Sequence, residues 1–107
     1  MNFYWIILIL AGFSEIGWTV FLKISEEFSK PIPTLLSIGF LVLSVILLAL
    51  AIKKIPIGIA YAIWTSIGII GVSVAGMFFF SESQSLIKLI FITLIVIGVV
   101  GLQLITE

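Results

Sequence analysis

The chain has 107 residues, of which 63% are hydrophobic and 9% are charged, and its mean hydropathy is +1.46. Soluble domains have about 45–50% apolar and about 25% charged residues, so this composition excludes a soluble globular protein. Five basic and five acidic residues give a formal net charge of zero, without the basic cluster that nucleic-acid binding requires.

Cysteine and histidine are both absent from the sequence. Without cysteine the chain can form neither a disulfide framework nor a thiolate metal site. Without histidine it lacks the commonest metal ligand and the usual proton shuttle. We therefore expect no metal and no cofactor, and we expect the protein not to be an enzyme.

Four apolar stretches occupy nearly the whole chain, at about residues 3–23, 33–52, 57–80 and 85–105. Roughly 20 helical residues cross a bilayer core about 30 Å thick, so each stretch is long enough to span it. We predict one all-α membrane domain over residues 1–107, with four transmembrane helices. The first stretch lacks the basic region of a cleaved signal peptide. Because the connections are short, neighbouring helices are predicted to be antiparallel.

Prolines and serines mark several of the predicted helix ends. Pro31 and Pro33 suit the start of the second helix, since proline is tolerated in a first helical turn. Pro56 follows the second helix and prevents its continuation. Ser85 or Ser83 is expected to cap the fourth helix.

The basic residues indicate almost no preference for one orientation in the membrane. Lys53 and Lys54 lie on the side of the N-terminus, and Lys23, Lys30 and Lys88 lie on the opposite side. Lysine and arginine in the loops normally set the orientation, so this chain is expected to insert both ways up. The alternative is that one orientation prevails through subtler signals.

One carboxylate interrupts the first apolar stretch. Glu15 lies near its middle, whereas Glu26, Glu27, Glu82 and Glu107 lie in loops or at the end. A charged side chain at the centre of a helix in lipid costs about 2.5–3.5 kcal/mol, and no basic residue lies within one turn. We therefore expect Glu15 to face a polar cavity and to be protonated for part of its working cycle. A site that binds either a proton or a cation is the minimum requirement for proton-coupled cation antiport.

The neighbours of Glu15 on its side of the helix favour a cation site. Gly12, Trp18 and Thr19 lie three residues before it, three after it and four after it. Gly12 leaves space, Trp18 offers an indole donor and a π face, and Thr19 offers a hydroxyl. The alternatives are helix packing for Gly12 and Thr19, helix packing or snorkelling to the membrane surface for Glu15, and an interfacial position for Trp18.

Polar and small residues also interrupt the other stretches. Tyr61 and Trp64 fall at helical spacing on the third helix. Ser44 lies in the middle of the second, where a hydrogen bond within its own helix is the alternative to a site role. Gly98 and Gly101 allow close approach of another helix, so the fourth helix is the expected subunit interface.

Two runs, SEIGWTVFLKISEEF (14–28) and IPIGIAYAIWTSIG (55–68), resemble the small multidrug resistance family of transporters. The resemblance covers the whole chain: four helices, a glutamate in the first, a lysine eight residues later, and a P-x-G-x-A-Y-A-x-W run. It implies an antiparallel, dual-topology homodimer in the bacterial cytoplasmic (inner) membrane. Such a dimer exports small cations in exchange for protons, with one Glu15 from each subunit in a shared site.

Trp18, three residues after Glu15, is similar to the guanidinium-exporting branch of that family. The resemblance implies a site for proton and cation made of Glu15, Trp18, Ser44, Tyr61, Trp64 and Gly12. Trp18, Ser44 and Trp64 would hydrogen-bond or wall the carboxylate, and Tyr61 would line the pocket. Guanidinium suits such a site because it is planar, always charged and binds a carboxylate through two parallel hydrogen bonds.

Three alternative functions are also consistent with the sequence. The chain could export quaternary ammonium drugs within the same family. It could be one half of a heterodimeric pair, in which case its C-terminus would show a single orientation. Finally, it could be a non-transporting membrane assembly subunit, in which Glu15 pairs with a basic residue of a partner helix.

Overall fold

The computed structural model describes residues 2–106, so Met1 and the acidic Glu107 lie outside the described residues. Over that range the chain forms four helices and no strand. They are α1 (Phe3–Ile24), α2 (Pro31–Ala51), α3 (Ile57–Phe79) and α4 (Leu86–Thr106). Each is long and apolar enough to cross a membrane, which confirms the predicted all-α membrane fold.

Local hydrogen bonds and prolines explain where the helices begin. The side-chain oxygen of Asn2 accepts two backbone N–H groups of the first turn of α1, at 3.0 and 3.2 Å. The α2 helix begins at Pro31, two residues earlier than predicted, because proline in a first turn forfeits no hydrogen bond. Ser85 caps α4, since its Oγ accepts the backbone N–H of Lys88 at 3.2 Å.

The connection between α1 and α2 is a tight left-handed turn. Glu26, Glu27 and Phe28 have φ values of 49°, 62° and 65°. This region costs about 1–2 kcal/mol for each residue that carries a Cβ. Buried Ser25 holds the turn together, because its Oγ accepts the Phe28 N–H at 3.1 Å and its carbonyl accepts the Ser29 N–H at 3.0 Å. The chain can therefore double back at once along α1.

Two serines of α2 fasten that helix to α1. Ser37 Oγ donates to the carbonyl oxygen of Trp18 at 2.8 Å, and Ser44 Oγ donates to that of Ala11, also at 2.8 Å. Both serines are buried. Ser44 follows Ser37 in α2, whereas its acceptor Ala11 precedes Trp18 in α1. The two helices are therefore antiparallel.

Glycines bring α3 directly against α1. A Cβ at Gly12 would lie 2.7 Å from Ile67 Cγ2, and a Cβ at Gly71 would overlap the side chain of Ile16. The second contact lies four residues after the first in both helices, so α1 and α3 run parallel. Small residues at a seam of this kind let the two backbones approach closely.

The α4 helix is the least enclosed of the four. A buried apolar core joins the start of α1 to the end of α2 and the start of α3, through Trp5, Ile7, Leu8, Ala51, Ile55, Ala60 and Ile63. From α4 only half-buried Val99 and Leu102 pack against this core, and no described residue of α4 is itself buried. Exposed Gly98 and Gly101 have no atom within 4 Å of an added Cβ. The face of α4 that carries Gly98 and Gly101 is therefore not packed against any other described part of the chain.

Replacing Gly71 by valine is expected to push α1 and α3 apart, because the new side chain would overlap Ile16. Overpacking costs about 1–3 kcal/mol, so the unfolding temperature of the protein in detergent micelles should fall. The matched control is Gly39→Val, at an exposed position of α2 where an added Cβ meets nothing within 4 Å. Equal unfolding temperatures for the two variants would contradict close packing between α1 and α3.

Candidate functional site

The Glu15 carboxylate lies midway along α1 and is half-buried. Trp18, one turn later on the same face, donates its indole N–H (Nε1) to Glu15 Oε1. The Thr19 hydroxyl donates instead to the backbone carbonyl of Glu15, at 2.8 Å. A carboxylate has about four acceptor positions, so Glu15 keeps most of its capacity for further donors.

A glycine on α3 makes room for this carboxylate. A Cβ at Gly68 would lie 2.7 Å from Glu15 Cγ, so a larger residue there would displace the acidic side chain. Gly68 is buried within α3. The stem of Glu15 therefore lies against the backbone of α3, in the seam between the two helices.

Glu15 lines a cavity of about 540 Å³ between α1 and α3. Its walls are formed by Glu15, Trp18, Thr19, Thr65, Gly68, Ile69, Val72 and Ser73. Glu15 is the single acidic residue among them, and no basic side chain of the described chain shares the lining. Ligand pockets in proteins measure about 300–1,000 Å³, so this cavity has room for a small ion.

A wider cavity of about 870 Å³ adjoins the first one. Thr19 and Val72 belong to the walls of both cavities. The wider cavity extends to Lys23, near the end of α1, and to Glu82, in the connection between α3 and α4. The two cavities are therefore neighbours along α1 and α3, and the wider one lies toward the side of the bundle at which α1 ends.

Ser44 and Trp64, which were predicted to contact the carboxylate, form a separate hydrogen-bonded bridge. Trp64 Nε1 donates to Ser44 Oγ at 2.9 Å, and Ser44 Oγ donates to the carbonyl of Ala11 at 2.8 Å. One buried hydroxyl therefore links α3, α2 and α1. In the single chain neither Ser44 nor Trp64 lines the cavity at Glu15.

Tyr61 and Gly12 also lie outside that cavity lining. Tyr61 is 55% exposed, and its ring packs against that of Trp64 with centroids 5.4 Å apart. Gly12 is buried against Ile67, where it provides helix contact and no open space. Of the predicted site residues, the single chain brings only Trp18 to the carboxylate of Glu15.

The predicted site residues do not include two polar residues of the cavity wall, Thr65 and Ser73. Thr65, Ile69, Val72 and Ser73 follow at intervals of four, three and one residues, so they share one face of α3. That spacing is visible in the sequence. Which face of α3 meets α1 follows only from the packing of the helices.

The sequence matches a family of known membrane proteins. The model of the family described as "Small Multidrug Resistance protein" matches residues 3–95. A guanidinium exporter of Escherichia coli (strain K12) is 41% identical over 103 residues, 96% of this chain and 98% of that protein. A guanidinium exporter of Salmonella typhimurium is 44% identical over 100 residues, 94% and 95% of the two chains. One from Yersinia pestis is 42% identical over 100 residues, 94% and 96%.

Ser44→Ala is expected to leave the indole N–H of Trp64 without its acceptor. Loss of the partner of a part-buried donor costs about 1–3 kcal/mol, so the unfolding temperature should fall. In NMR spectra the indole N–H resonance of Trp64 should move upfield, while that of Trp18 stays in place. Ser14→Ala is the control, because the buried Ser14 hydroxyl donates only within its own helix. An unmoved Trp64 resonance would rule out the bridge.

Proposed function

We propose a transport function for this chain, which belongs to the Small Multidrug Resistance family. The nearly full-length similarity confirms the family resemblance carried by its two sequence runs. The family and the four spanning helices identify a multi-pass protein of the bacterial inner membrane, a transporter and not an enzyme. We propose that it exports small cations, guanidinium first among them, in exchange for protons.

The observation that carries this proposal is a lone carboxylate in an otherwise uncharged cavity. Among the described residues Glu15 is the single ionisable member of that lining, and the wider cavity beside it reaches Lys23 near the end of α1. An ionised carboxylate in an apolar environment gains from any cation that reaches it, a proton included. Proton and substrate compete for the same oxygen atoms, so each excludes the other. This mutual exclusion couples the flux of protons to the flux of substrate.

Guanidinium matches the acceptor positions that Glu15 retains. Trp18 takes one position, on Oε1, and restrains the orientation of the carboxylate. A planar guanidinium can then donate two parallel N–H bonds to the same group. The Trp18 ring also offers a π face to a cation. Relatives named guanidinium exporters support the same substrate.

Glu15→Gln is expected to abolish proton-driven guanidinium transport, because an amide neither binds a proton at working pH nor attracts a cation. The measurement is guanidinium flux in proteoliposomes under an imposed pH gradient. Glu107→Gln is the control, since it makes the same chemical change outside the spanning segments. Transport by Glu15→Gln at the wild-type rate would remove the mechanism. A preference for tetraphenylphosphonium over guanidinium in the wild type would favour a drug exporter.

We further propose that the working unit is an antiparallel homodimer formed through α4. The exposed face of α4 at Gly98 and Gly101 supports a helix contact there. The nearly balanced lysines support insertion in both orientations. The wider cavity beside the Glu15 cavity lies toward the side at which α1 ends, so two copies of opposite orientation would serve both sides of the membrane.

Gly98→Leu should weaken the dimer, because a large side chain at a close helix contact costs about 1–3 kcal/mol. We expect the dissociation constant of the dimer to rise roughly tenfold. Glutaraldehyde cross-linking in lipid vesicles, at several protein-to-lipid ratios near the dissociation midpoint, measures this rise. The control is Gly39→Leu, at an equally open position of α2. If both variants cross-link like the wild type, α4 is not the interface.

A further inference from the structure

We propose that Ser73 is a second contact for the transported cation, and that its hydroxyl selects ions that carry N–H donors. The inference rests on the proposed export of guanidinium through the Glu15 cavity. It assigns a role in substrate choice to a side chain of α3, on the wall formed opposite Glu15 by that helix.

Within residues 2–106, the Ser73 hydroxyl is distinguished by having no hydrogen-bond partner. Hydroxyls in helices commonly donate to a backbone carbonyl one turn earlier. On α3, Thr65 Oγ1 donates to the carbonyl of Tyr61 at 2.8 Å, and Ser66 Oγ donates to that of Ala62 at 2.6 Å. Across residues 2–106, Ser73 is the one helical serine or threonine whose hydroxyl makes no hydrogen bond.

The free hydroxyl lies in an apolar part of the cavity wall. Ser73 is half-buried, and its neighbours in the lining include Ile69 and Val72. Its oxygen is accessible from the cavity, because no enclosed side-chain nitrogen or oxygen of residues 2–106 lacks a hydrogen-bond partner. A bound ion with N–H donors can therefore use it, since the serine oxygen can accept a hydrogen bond.

The spacing along α3 suits an ion held between two helices. Gly68 lies at the same height in the bundle as Glu15, because a Cβ added to Gly68 would lie 2.7 Å from Glu15 Cγ. Ser73 follows five residues later, which is about 7.5 Å along the axis at 1.5 Å per residue. Two hydrogen bonds of about 2.9 Å, with a small ion between them, span such a separation. The same ion can therefore reach the carboxylate on α1 and the hydroxyl on α3.

The number of donors on the ion then determines selectivity. Guanidinium carries N–H groups on all three nitrogens. When two of these N–H groups bind Glu15, the remaining ones are directed at the opposite wall. A quaternary ammonium ion has no N–H group and gains nothing from Ser73. The hydroxyls of Thr19 and Thr65 in the same lining donate to backbone carbonyls, which fixes their orientation but leaves their lone pairs able to accept. Ser73 is the one of these three hydroxyls without such a bond, so it can turn to suit the ion.

The first experiment compares Ser73→Ala with the wild type in proteoliposomes. We expect the guanidinium concentration for half-maximal transport to rise about threefold to tenfold, as for one lost hydrogen bond. The inhibition constant of tetramethylammonium, added as a competing ion, should not change. Ser66→Ala is the matched control for this selectivity. It removes a hydroxyl of the same helix, and that hydroxyl already donates to the carbonyl of Ala62.

The second experiment uses the absence of native cysteines. Ser73→Cys introduces a unique thiol, and its labelling rate by a water-soluble maleimide reports access to the cavity. We expect guanidinium to slow the labelling at concentrations near its half-saturation value. It should not slow labelling of Ser66→Cys, and Glu15→Gln should remove the protection.

The outcomes separate this inference from the transport function on which it rests. A wild type that does not transport guanidinium would overturn both proposals. Wild-type guanidinium transport with unchanged half-saturation in Ser73→Ala, or equal weakening of both ions, would overturn only the role of Ser73. Unprotected labelling of an actively transporting Ser73→Cys variant would overturn it as well.

Discussion

A carboxylate in the middle of a membrane-spanning helix needs a donor, space and a route to water, and the rest of this structure is arranged around that need. Trp18 supplies the donor from one turn further along α1. Gly68 supplies the space, because a side chain there would overlap the stem of Glu15. The two neighbouring cavities that share Thr19 and Val72 offer the space for a route. Without these three features the charge would have to be neutralised or the helix would be expelled from the bilayer core.

The helices are joined by two different kinds of contact. Ser37 and Ser44 bind backbone carbonyls of α1 on either side of Glu15, so α1 and α2 are held in a fixed register. The seam between α1 and α3 depends instead on glycine contacts and on shape. In residues 2–106 the Trp64–Ser44 hydrogen bond is the side-chain link that reaches from α3 to the other two helices. The proposed substrate site therefore lies at the seam that depends on glycine contacts and on shape.

The α4 helix has a different relation to the bundle. It leaves an exposed face with two glycines, while the carboxylate and its cavity lie between α1 and α3. A membrane offers little hydrophobic driving force for helix association, so close approach at small residues becomes the main source of attraction. In the proposed dimer, α4 would therefore serve assembly while α1 and α3 hold the ion.

The sequence alone determined the features that depend on spacing within one helix. The four spans follow from apolar length, and the Glu15–Trp18 pair follows from an interval of three residues. Only the tertiary structure decided that Gly68 lies against Glu15, that Ser44 bonds to α1 and that Ser73 lines the cavity. In a soluble helix an apolar stripe reveals the inner face, whereas helices in lipid are apolar all round. Their rotation about the axis is set by packing between helices, which no single segment encodes.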